Sequence, residues 1–326
     1  MRQFGIVGRA DRVGHRRVIL SGTISPDEQV KGVQDRTRRR PDSFYANPDL
    51  YDLIFGFRHI DREMGFISRV YEQHAGKPMG SLLDACSGTG AHVIEALRRG
   101  IAACGVDISP EMVRYASQKA GSLGYTGSFV VGDVTRLPVR GPFDCAICMF
   151  HSLPLLTDNE RLADHFECVA GCLRDGGLYV VEMGNPMQVV ADAPNSRREL
   201  WEERCWSEFR DGARIRGTSY RDPLDLRTET VRVEMIVDIA APGVSIRISA
   251  TETHRLLLPQ SLAYIASSAG HMLLKEVYAD FDLAAPYLGS RRSPRMICVF
   301  AKEHSPPPRR QRRRRGSEQL GLSLDP

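Results

Sequence analysis

The residues best placed to do chemistry are three aspartates, each closing an apolar run: Asp84 after SLL, Asp107 after AACGV and Asp133 after SFVVG. Asp84 leads straight into a glycine-rich turn, DACSGTG, in which Gly88 and Gly90 are separated by one residue. A strand, a glycine turn, a helix and a second strand ending in an acid form the outline of a nucleoside-binding βαβ unit. Glycines let the backbone approach a ligand where a Cβ would clash. Asp107, nineteen residues after Gly88, has the acceptor capacity for two ribose hydroxyls. Acids at the ends of successive parallel strands collect at the carboxyl edge of the sheet, where open α/β sheets bind ligands. A nucleoside-containing cofactor is the expected ligand.

The turn also limits which cofactor. A dinucleotide site usually keeps a third glycine so that a helix N-terminus can face a pyrophosphate, and here that position is Val93. The lysine of a P-loop is missing as well. Taken together, DACSGTG, GVDIS and VVGDVTRLP resemble the motifs of class I S-adenosylmethionine-dependent methyltransferases, of the type with small-molecule acceptors. The resemblance implies that S-adenosyl-L-methionine is the cofactor. It places Asp84, Ala85, Cys86, Gly88 and Gly90 beside the methionine part, Asp107 and Ile108 at the ribose, and Asp133 with Val134 at the adenine. Met149 would pack on the cofactor, and Tyr45 would belong to a covering segment. Cys86 departs from the family, which usually has glycine or alanine there, so a slightly reshaped pocket is expected.

Methyl transfer from a sulfonium is an in-line displacement whose leaving group needs no protonation, so orientation in a dry pocket can supply most of the acceleration. A hydroxyl or a protonated amine acceptor still requires a base. His151, in CMFHSLPLL directly after the fourth strand, is the candidate; His254 and Arg255 are further pocket candidates. The segment lacks the D/N-P-P-Y/F and Pro-Cys signatures of base methylation, which disfavours nucleic acid and favours N or O of a small molecule. The alternatives are an RNA or protein methyltransferase guided by basic termini, and a cofactor-binding protein without turnover.

Positioning these groups requires alternating elements: strand 81–84, helix 90–99, strand 102–107, helix 110–122, strands 128–133 and 143–149, helix 159–173 and strand 177–183. Alternation of this kind predicts a doubly wound α/β fold with a mainly parallel, seven-stranded sheet completed by a terminal hairpin. Period-two alternation over 213–221, 228–240 and 244–258 predicts a three-stranded antiparallel insertion after the fifth strand. The expected organisation is a basic segment at 1–40, a helical lid at 41–80, a cofactor core at 81–185, an insertion walling the acceptor pocket at 186–258, core completion at 259–303 and a basic tail at 304–326.

Charge is unevenly spread beneath the net +4. Residues 1–40 hold ten Lys and Arg against four Asp and Glu, and residues 301–326 hold seven against three, so the part between is net acidic. Both ends are too polar to bury themselves and are expected to be disordered. No apolar run reaches the roughly 18 residues of a membrane-spanning helix, and no secretory leader is read at the start, so a cytoplasmic enzyme without a membrane partner is expected. The eight cysteines give no zinc or disulfide pattern: in a strand, Cys145 and Cys148 point to opposite faces. No metal is expected, and the partners expected are the small acceptor and a second copy in a homodimer.

Overall fold

The structure is a computed structural model that describes residues 44–191, 199–200, 206–210 and 212–303; the expected basic segments 1–40 and 304–326 lie outside the described residues. The elements in chain order are α1 (Pro48–Phe55), α2 (Ile60–Ala75), β1 (Ser81–Asp84), α3 (Ala91–Arg98), β2 (Ala102–Asp107), α4 (Pro110–Ser122), β3 (Ser128–Val131) and β4 (Phe143–Cys148). Then come α5 (Asn159–Cys172), β5 (Leu173–Gly184), α6 (Pro186–Ala191), β6 (Glu199–Leu200), β7 (Trp206–Arg210), β8 (Ala213–Arg221), β9 (Thr230–Ala241) and β10 (Val244–Arg255). α7 (Pro259–Gly270), β11 (Met272–Tyr278) and β12 (Arg295–Lys302) close the chain. They form two compact units, one of residues 59–193, 226–230 and 254 onward, the other of residues up to 58, 194–225 and 231–253.

The larger unit is a seven-stranded sheet in the order β11-β12-β5-β4-β1-β2-β3. The five strands from β5 to β3 are parallel, while β12 runs antiparallel to both β5 and β11. Central parallel strands are buried on both faces and so read as continuous apolar runs. FDCAIC and LYVVEM behave this way: Ala146, Cys148, Tyr179 and Val181 join the core under α5 and α7, while Cys145, Ile147, Leu178 and Val180 join the core under α2. Cys145 and Cys148 thus point to opposite faces. The helix starts are chemically marked: Ser109 Oγ accepts from the Met112 N–H at 3.2 Å ahead of Pro110, and Asp158 accepts from the Arg161 N–H at 2.8 Å. The second half of the 41–80 segment is α2, whose Met64, Phe66, Ile67, Val70 and Tyr71 are built into this core.

In the smaller unit Tyr51 and Phe55 of α1 meet Phe44 and Tyr45, from the short turn ahead of it, in a cluster of aromatic rings. Its sheet has five strands where the periodicity predicted three: β10-β9-β8-β6, with β7 also pairing β8. β7 is short and β6 has two residues, and neither alternates long enough to register in sequence, so pairing with β8 alone defines them. On β8 and β9 the buried apolar side chains are Ala213, Ile215, Val231, Val237 and Ile239, and Ser219 and Arg221 of β8 are buried with them.

At the amino edge of the larger sheet, Asp144 fastens β4 to β1. It accepts from the Tyr71 hydroxyl at 2.6 Å and from the Gly80 and Ser81 N–H groups at 2.9 Å each, with Arg174 Nε 2.9 Å away. Burial pushes its carboxyl up, but the Tyr71 and Gly80 hydrogen bonds and Arg174 outweigh it and hold the group below the ordinary value. Stability from a lowered acid is present at neutral pH and is lost as pH falls. Asp144→Ala is expected to cost about 3 kcal/mol in urea unfolding at pH 7, by stranding buried donors. That difference should shrink below pH 4, and ligand binding should be unchanged because Asp144 sits at the edge opposite the aspartate cluster.

Candidate active site

Asp84 ends β1, Asp107 ends the adjacent β2, and Asp133 follows β3 by two residues, so the three acids stand along one carboxyl edge. The register pairs Asp84 with Gly105 and Asp107 with Val131. Between the first two lies the glycine turn. It is pinned from both sides: the Ala85 N–H donates to the Ile147 carbonyl and the Ser87 N–H to the Val106 carbonyl, each at 2.9 Å.

Asp107 completes the turn. Its Oδ2 accepts the Gly88 N–H at 2.8 Å and its Oδ1 the Ser109 N–H at 2.9 Å. Each carboxylate oxygen can accept a second hydrogen bond, so two acceptor positions remain for hydroxyls. Burial raises the carboxyl above its ordinary value, more than the Ser109 and Gly88 N–H groups lower it.

The two glycines do different work. Both have positive φ, 50° at Gly88 and 78° at Gly90. A Cβ on Gly88 would meet nothing within 4 Å, so this glycine faces open space. A Cβ on Gly90 would lie 2.7 Å from the Phe129 ring and 2.8 Å from Ala116, so this glycine is required by packing of the turn against β3 and α4. Gly90 thus carries a packing constraint that the sequence reading of both as ligand clearances did not include.

Asp84 is buried, with Oδ1 accepting from the Cys86 N–H at 3.3 Å and Oδ2 3.8 Å from His92 Nδ1. The other ring nitrogen of His92 lies 2.8 Å from Glu63 of α2. Asp133 accepts from both the N–H and the hydroxyl of Thr135, and these bonds, led by the N–H and helped by Arg161 and Arg136, hold its carboxyl below the ordinary value against burial. Its turn follows β3, which ends at Val131 instead of running to residue 133. Cys148 donates to Cys86 across 3.8 Å; that bond and burial raise the Cys86 thiol well above its usual value, so it stays protonated. Ile108 is 69% exposed beside the acids and offers an apolar surface there. Val134 packs against the core, Ala85 is buried, and Met149 is buried in the core beneath α2. Tyr45 belongs to the other unit, where its ring meets Phe44 and Tyr51.

His151 sits in a strained loop after β4. Phe150 and His151 both have left-handed φ, 56° and 64°. The Gly184 N–H donates to His151 Nδ1 at 2.8 Å, so a neutral ring carries its proton on Nε2. The His254 ring stands edge-on to it, with centroids 4.7 Å apart. Sequence reasoning passed over Glu182, whose carboxylate accepts the Phe150 N–H at 2.6 Å, and over the Glu63–His92 pair. An acid inside LYVVEMG was the available signal, since a buried charge in an apolar strand needs a partner. Among the described residues no cluster of three or more His, Cys, Asp or Glu is arranged to hold a metal.

Residues 82–177 match the family model described as a methyltransferase domain. A protein of Geobacillus sp. strain WCH70, provisionally named a methyltransferase, is 25% identical over 133 residues, 41% of this chain and 54% of that one. The chain spans about half the length of the curated relatives it matches. Among solved structures, an S-adenosylmethionine-dependent methyltransferase from Clostridium acetobutylicum superposes with a TM-score of 0.64 at 15% identity, covering 78% of this chain and 97% of that one. The sugar N-methyltransferase KedS8 from Streptoalloteichus sp. gives 0.59 at 19% identity, covering 78% and 93%.

The glycine geometry separates two outcomes. Gly90→Ala should lower the urea midpoint by the equivalent of about 2–3 kcal/mol, through overpacking plus left-handed strain. Gly88→Ala should cost only about 1 kcal/mol of stability, while abolishing nucleoside binding in calorimetry. With the acids, the turn and the strand order in place, residues 82–177 match a methyltransferase domain set within a fold similar to that of S-adenosylmethionine-dependent methyltransferases.

Proposed function

We propose that the protein transfers a methyl group from S-adenosyl-L-methionine to a nitrogen of a small molecule, with oxygen as the second choice of acceptor atom. The observation that carries the cofactor reading is Asp107, tied to the Gly88 turn yet retaining acceptor capacity, next to a glycine that opens onto empty space. The ligand fits the donor set. Its ribose hydroxyls would donate to Asp107, its cationic methionine end would lie toward Asp84, and its adenine would lie over Ile108 toward Asp133. When bound, the cofactor supplies an electrophilic methyl on a sulfonium. The protein's part is to align the nucleophile and exclude water.

The His151 tautomer favours nitrogen. With Nδ1 taken by the Gly184 N–H and the proton on Nε2, the neutral ring offers a donor and no base toward an acceptor. A hydroxyl would need its proton removed, whereas a neutral amine attacks with its own lone pair and releases a proton to water afterwards. His151 then acts by donating a hydrogen bond to the acceptor. Likeness in fold to a sugar N-methyltransferase is consistent with an amine. No helix among the described residues is long and apolar enough to cross a membrane.

Calorimetry with S-adenosylhomocysteine tests the reading. Asp107→Ala should weaken binding by about 2–4 kcal/mol, roughly 30- to 700-fold in Kd. Binding to the unaltered protein should weaken as pH falls, because protonated Asp107 loses its acceptor role. The raised carboxyl puts the onset above the ordinary value of about 3.9. Equal binding by the variant, or preference for NAD, contradicts the proposal. Transfer of labelled methyl to amines in a metabolite extract would establish the acceptor class; transfer only to RNA or protein would favour the polymer alternative.

A further inference from the structure

We propose that Glu182 is a positioning residue that acts through the loop after β4, holding Phe150 and His151 in their left-handed conformations so that His151 is kept as a single tautomer, the Nε2–H donor. Two consecutive non-glycine residues at φ 56° and 64° do not persist unless their surroundings over-determine them. Here β5 supplies three grips. The Glu182 carboxylate accepts the Phe150 N–H at 2.6 Å, the Glu182 carbonyl accepts the His151 N–H at 3.1 Å, and the Gly184 N–H donates to His151 Nδ1 at 2.8 Å. Only the first depends on a side chain of β5.

That side chain is buried and charged, and its charge is answered. Arg295 at the start of β12 reaches Glu182 Oε1 at 3.2 Å, stands 3.3 Å from Asp280 and lies over the Phe281 ring. Asp280 in turn accepts from Arg62 of α2 at 2.9 Å. The result is a row of alternating charges, Arg62, Asp280, Arg295 and Glu182, that ends on a backbone amide one residue before the imidazole. A carboxylate needed only to neutralise Arg295 would not have to bind the Phe150 N–H. A charge-assisted bond to a strained peptide shifts the loop's conformational preference directly. What His151 meets in front of the loop rests on the methyl-transfer reading; the control of its tautomer does not.

The test is nitrogen-15 NMR of histidine-labelled full-length protein without ligand, with the His151 signals assigned by their loss in His151→Gln. Unaltered protein should show His151 as one tautomer, protonated at Nε2. Glu182→Ala should replace that signature with the averaged one of a free imidazole, while the buried His165 signals stay in place. Glu182→Gln, whose amide oxygen can still accept the Phe150 N–H, should restore the single tautomer. An unchanged His151 signature in Glu182→Ala overturns the proposal, as does failure of Glu182→Gln to restore it. Should Glu182→Ala not fold, Glu182→Asp, too short to reach Phe150, is read by the same criterion. S-adenosylhomocysteine calorimetry on the same samples judges the cofactor reading separately: absence of binding by unaltered protein would sink that reading and leave the tautomer result standing.

Discussion

A single carboxylate joins three pieces of backbone at the edge of the sheet. Asp107 closes β2, receives an amide from the glycine turn after β1, and receives another from the residue that caps α4. The turn cannot sag into the space in front of the sheet while that bond holds, and α4 starts where the same side chain fixes Ser109. The geometry of the pocket therefore depends on one ionised group in a partly buried place, where ionisation is costly. The two amide bonds offset part of that cost; hydroxyl donors from a ligand would offset more.

The opposite edge shows what a purely architectural acid looks like. Asp144 is fully engaged by Tyr71, Gly80, Ser81 and Arg174, and its carboxyl is held low. Asp107 is held high by burial and keeps acceptor capacity. Two aspartates on the strands that flank β1 thus separate by environment into a fully engaged fastener and a carboxylate with acceptor capacity left. Strand polarity decides which is which, because loops at the carboxyl ends open outward and those at the amino ends close.

Much of this was legible in the chain. Asp84, Asp107 and Asp133 each close a short apolar run, the runs alternate with helical segments, and Ser109-Pro110 marks a helix start, so the order of the core elements could be read directly. Other features depend on distant partners that no local pattern carries. Gly90 is glycine because of Phe129 and Ala116, which meet it only after folding. β6 and β7 exist through their pairing with β8. His151 is readable as a histidine in the right loop, but its tautomer is set by the amide of Gly184, at the end of the neighbouring strand. Glu182 was visible as an acid in an apolar strand, yet its purpose required knowing that Phe150 would present an amide to it.

The most direct measurement is a crystal structure of the full chain with S-adenosylhomocysteine. The account predicts both ribose hydroxyls within hydrogen-bonding distance of Asp107, with the Asp107 to Gly88 bond retained and the ligand backbone passing over Gly88. A nucleoside bound elsewhere, or a turn in which Gly88 leaves Asp107 and fills the space itself, would contradict it.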